Sequence, residues 1–109
     1  MHPGDNRPFS ELVREAAEDW CDKDAAARML EECKTAFLEK RKNDLDPELP
    51  DSHRERIVKA SDEWRDYLVK MVRARTAANR AKINLTYIET KGWENRSSEA
   101  TKRAEMRLT

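Results

Sequence analysis

From Ser52 to Lys91 the chain runs forty residues without a glycine or a proline. At 1.5 Å per residue that is room for a helix about 60 Å long. With Ile57 as heptad position a, the a and d sites read Ile57, Ala60, Trp64, Tyr67, Met71, Ala74, Ala78, Ala81, Leu85 and Ile88. All ten are apolar or aromatic in a chain that is 38% hydrophobic, so the series is not chance. A register sustained over four heptads predicts a helix packed along its length on another helix. The expected fold class is all-α: a helical hairpin or small bundle with one long coiled-coil-like helix, oligomeric in solution.

The stripe changes width along this helix. Val58, Leu68, Val69 and Val72 flank its first half and predict burial by two neighbours, the N-terminal helices folding back. Beyond, the seam of Met71, Ala74, Ala78, Ala81, Leu85 and Ile88 narrows to small side chains. Alanines let a partner backbone approach but bury little apolar area, at about 25 cal/mol per Å². A second copy or another protein is the expected occupant of this oligomer seam.

The rest of the chain is punctuated by familiar signals. Residues 1–9 read as a flexible lead, and 10–109 as a single helical domain. Ser10 is the expected N-cap of a helix over 10–43, with Phe9 packing back as a staple. Residues 10–43 read as one kinked helix or as two with a tight joint; a break near Asp22 or Asp24 is favoured, because either carboxylate can cap a second helix. Pro47 and Pro50 end the first half of the chain. Ser52 with Glu55 reads as a capping box opening the long helix over 52–91. Gly92 reads as a kink or helix end, with a short helix restarting over 97–108 and docked loosely.

Net charge is zero by cancellation. Residues 1–69 hold 12 Lys/Arg against 18 Asp/Glu, and residues 70–109 hold 10 against 4. The asymmetry points to an anionic partner for the basic half, or to mutual attraction of the halves within a chain or across a dimer. Cys21 and Cys33 are twelve apart with no CxxC, and read as reduced, partly buried apolar residues. No metal site and no cofactor are expected. The N-terminus carries no apolar signal core, and no apolar run approaches a membrane span. A cytoplasmic, membrane-free protein is expected.

Between Lys70 and Ile88 the charged residues are Lys70, Arg73, Arg75, Arg80 and Lys82, all basic. Lys70, Arg73 and Arg80 fall on one flank of the alanine seam, Arg75 and Lys82 on the other. With Trp93 and Arg96 they form the expected binding set. Such cations neutralise phosphates, and nearby Tyr87 and Trp93 can stack on unpaired bases. Trp20 and Trp64 lie on apolar stripes and read as core. Catalytic patterns are missing: there is no glycine-rich phosphate loop, GxSxG or HExxH, and adjacent carboxylates such as Glu31-Glu32 diverge on a helix. No catalytic residue is expected.

The segments Glu63-Trp64-Arg65-Asp66-Tyr67-Leu68, Met71 to Lys82 (MVRARTAANRAK) and Ser98 to Arg107 (SEATKRAEMR) resemble small α-helical phage and prophage proteins. The resemblance spans residues 60–108. It implies genes carried beside single-strand annealing and exonuclease genes, in a bacterial host cell. Gly92 departs from it, where a larger residue is expected. The functions to weigh are therefore three. The first is a non-enzymatic accessory protein binding single-stranded DNA in recombination or replication. The second is a protein-binding inhibitor of a host nuclease or defence complex, with the acidic N-terminal half imitating nucleic acid. The third is a structural helical adaptor with no ligand beyond its own copies.

Overall fold

The computed structural model describes residues 7–108, with side chains to residue 107. The expected all-α class holds. Three helices follow in order, α1 (Phe9–Asn43), α2 (Asp51–Lys59) and α3 (Asp62–Leu108), and among the described residues there is no strand. α1 and α3 lie side by side as an antiparallel hairpin, giving a body 87 × 21 × 18 Å. The flexible lead expected over 1–9 falls mostly outside the described residues; Phe9 itself is the first residue of α1.

α1 runs 35 residues without the expected break. Of the two acids that were to cap a second helix, Asp24 is taken by Arg28 at 3.1 Å, and Asp19 nearby pairs with Lys23 at 3.0 Å, each one turn along. Such i,i+4 pairs support a continuous helix. At its start Pro8, not Ser10, occupies the N-cap, and its carbonyl accepts the Glu11 and Leu12 amides at 3.0 and 3.2 Å. Proline's fixed φ suits this entry to a helix. Likewise Pro50, not Ser52, caps α2, with Asp51 in its first turn.

The forty-residue helix is interrupted at Ala60 and Ser61. The Ser61 hydroxyl donates to the Val58 carbonyl at 2.6 Å and accepts the Trp64 amide at 3.2 Å. It thereby closes α2 and opens α3 at once, with Asp62 and Glu63 in the new first turn where the helix dipole favours acids. Ile57 and Ala60, the first two heptad sites, are consequently exposed outside α3.

From Trp64 to Ile88 the heptad seam is real, and α1 covers it. An aromatic layer sits near the loop end. Phe37 stacks on Tyr67 at 4.5 Å and on Trp64 at 6.2 Å, and the Tyr67 hydroxyl donates to the Leu30 carbonyl at 2.5 Å. Farther along, Ala27 and Ala78 are both 0% exposed between the helices. The seam residues Met71, Ala74, Ala78, Ala81, Leu85 and Ile88 are thus half-buried or buried by the same chain, rather than offered to a second copy. Because α1 is one unbroken helix, there is no second N-terminal helix to widen the cover. Val58 is buried and Leu68 half-buried, but Val69 and Val72 are exposed, contrary to the expected burial of all four.

α3 does not stop or restart at Gly92; it continues as helix to Leu108. Gly92 falls on the next a site after Leu85 and Ile88. A β-carbon there would lie inside the Phe9 ring, which rests directly on the glycine backbone. Phe9 therefore staples α1 to α3 instead of packing on its own first turn. Beyond this point α1 ends, and α3 from Trp93 onward is exposed.

Candidate docking face

The expected binding residues divide between two flanks of α3. Arg75 faces α1. Its Nε and Nη2 donate to the two Glu31 carboxylate oxygens at 2.9 and 2.6 Å, and its Nη1 to Asp24 at 2.7 Å. This bidentate clamp, with a third bond, uses the whole guanidinium fork. The hydrogen bonds from Arg75 hold both carboxyls below their ordinary range, and the two carboxylates raise Arg75 in return. Lys82, on the same flank, sits 4.1 Å from the Trp20 ring centroid, a cation–π contact. Trp20 and Trp64 are packed as expected, half-buried and buried. Arg75 and Lys82 are thus engaged within the hairpin, where the acidic and basic halves attract each other.

Lys70, Arg73 and Arg80 are exposed on the other flank, and among the described residues none has an ion-pair partner. Arg80 borders a shallow groove whose far wall carries the Asp19–Lys23 pair. Arg96 stands 5.2 Å over the Phe9 ring and belongs to the staple. Trp93 is 71% exposed, nearly two turns past Tyr87, whose ring Lys91 overhangs at 5.8 Å. The structure therefore keeps Lys70, Arg73 and Arg80 together, and separates them from Arg75, Lys82 and Arg96.

Beside those three cations lies a feature the heptad reading passed over. Val69, Arg73, Thr76, Arg80, Ile83 and Tyr87 follow one another at spacings of four and three, and all are exposed. They form a second row on the far side of α3 from α1. Val72 lies beside it, 59% exposed, and Ile83 is 69% exposed. The signal was in the sequence, since the 4-3 spacing is as regular as that of the inner seam. The inner seam's larger apolar content drew the register away from it. Cys21 and Cys33, expected to be partly buried, are both exposed on α1.

Nothing in this face resembles a reaction centre. Among the described residues, no group of three His, Cys, Asp or Glu is placed to hold a metal ion. No helix among them is long and apolar enough to cross a membrane. What the face offers is two exposed apolar pairs, Val69 with Val72 and Ile83 with Tyr87, joined by Arg73, Thr76 and Arg80, whose cations have no ion-pair partner among the described residues. Comparison of the chain with protein-family models, with curated proteins and with solved structures finds no match.

Proposed function

We propose that this chain is a non-enzymatic helical adaptor that binds a protein partner through the outer row of α3. The observation that carries the proposal is the exposed Val69, Val72, Ile83 and Tyr87 beside three unpaired cations, on a stretch of α3 with no carboxylate between Lys70 and Glu89. Exposed apolar anchors on one side of a helix are what a partner helix covers. The flanking Lys70, Arg73 and Arg80 select a partner of acidic character, chiefly through association rate and discrimination. Phosphate binding has no use for exposed valine and isoleucine. It also loses Arg75 and Lys82 to α1 and Arg96 to the Phe9 staple, three of its six expected cations.

Titration of isotope-labelled protein with a synthetic acidic amphipathic helix (a leucine row edged by glutamates) tests this directly. Amide shifts should concentrate on residues 69–87, and a thymidine oligonucleotide should give no saturable shifts at low salt. The opposite pattern overturns the proposal. An oligonucleotide held by three cations would shift Lys70, Arg73 and Arg80 and lose about 20-fold affinity between about 50 and about 200 mM salt.

A further inference from the structure

The outer side of α1 carries a matching row. Glu18, Asp22, Ala25, Met29, Glu32 and Ala36 recur at spacings of four and three, and all six are exposed. Met29 is the large apolar member, and Asp22 and Glu32 have no ion-pair partner among the described residues. This row is acidic where the α3 row is basic. Both span eighteen residue steps, about 27 Å of helix. Phe9 on Gly92, Phe37 on Trp64 and Lys82 over Trp20 set the antiparallel register, and in it the two rows overlap on opposite sides of the hairpin, their centres about one turn apart.

Resting on the adaptor reading above, we infer that the acidic helix which the α3 row takes is α1 of a second copy of this chain. A copy displaced sideways, without rotation, brings its α1 antiparallel to α3, the arrangement already used inside the hairpin. In that register Arg80 stands level with the second copy's Asp22. Arg73 lies about one turn from its Glu32, within an arginine's reach. Thr76 stands level with Ala25 at the centre of the contact, and Val69 lies about a turn from Met29. The contact is heterologous, since each copy presents its α3 row and receives on its α1 row. It therefore leaves one acidic and one basic row open at the ends and does not close at two copies.

Mass by sedimentation or light scattering, across concentration and at low salt, is the test. The wild-type mass should climb with concentration past twice 12.8 kDa. The variants Arg73→Glu/Arg80→Glu and Asp22→Lys/Glu32→Lys change only exposed side chains, and each should be monomeric alone, with helical circular dichroism retained. Mixed together, an all-acidic and an all-basic hairpin should assemble again. A wild-type chain monomeric at millimolar concentration, a plateau at two copies, or no recovery on mixing overturns the inference. If the wild type stays monomeric while the synthetic acidic helix still shifts residues 69–87, the adaptor reading stands and self-assembly alone falls.

Discussion

At the scale of single residues, Arg75 and Gly92 show how local chemistry decides what each helix face is for. Arg75 reads in sequence as one of five equivalent cations, but it alone reaches both Asp24 and Glu31. Its effect on stability follows from the carboxyls it depresses. A carboxyl held below its ordinary value contributes stability above that value and loses it as pH falls through the folded one. The ordinary values are 3.8 for Asp24 and 4.5 for Glu31. The thermal midpoint should therefore be flat above that range and decline on acidification through and below it. Arg75→Met should flatten the decline, as followed by circular dichroism against pH; an unchanged acid limb would mean the clamp does not act on stability. Gly92 acts by what it lacks. Gly92→Ala gains about 1 kcal/mol of helix propensity but drives a methyl into the Phe9 ring. Helix content should hold, while amide exchange over residues 9–13 accelerates as the ring is displaced. Unchanged exchange there would show that the staple is not formed.

At the scale of elements, much was legible before the structure. The loop around Pro47 and Pro50 and the seam from Trp64 to Ile88 fall where composition and spacing put them. The interruption at Ala60 and Ser61 did not, and for a physical reason. Heptad periodicity reports which side of a helix is apolar, and it continued in phase through Ile57 and Ala60. The chain breaks there because the Ser61 hydroxyl satisfies the end of one helix and the start of the next, a capping event to which periodicity is blind. The opposite error arose at Asp22 and Asp24, where capping residues were available but Arg28 one turn on and Arg75 across the hairpin hold Asp24 in a continuous helix. Ser61→Ala tests the capping reading. It should cost about 1 kcal/mol in denaturant unfolding and raise amide exchange in the first turn of α3. A neutral substitution would place the cause of the break elsewhere.

At the scale of the whole molecule, charge asymmetry and heptad pattern combine into one design. The acidic α1 and the basic α3 meet along an alanine-rich inner contact. Small side chains there bring the two helices together but bury modest area, so the aromatic layer of Phe37, Trp64 and Tyr67 and the Arg75 clamp add the fixed points. The candidate site was half legible. Lys70, Arg73 and Arg80 were named from sequence. Val69 and Val72 beside them were expected to be buried, because an exposed valine on a helix cannot be told from a buried one until the covering helix is placed. Once α1 is placed, the seam expected to receive a partner is already filled, and the partner's side is the reverse face.

The most direct test reads which face of α3 the hairpin leaves open. A soluble paramagnetic probe, added to methyl-labelled protein at high dilution, should strongly relax the methyls of Val69, Val72 and Ile83. The methyls of Ala74, Ala78 and Ala81 should stay shielded beneath α1. Alanine methyls relaxed as strongly as those of Ile83 would mean that α1 does not cover the seam, and the outer row would lose its standing as the docking face.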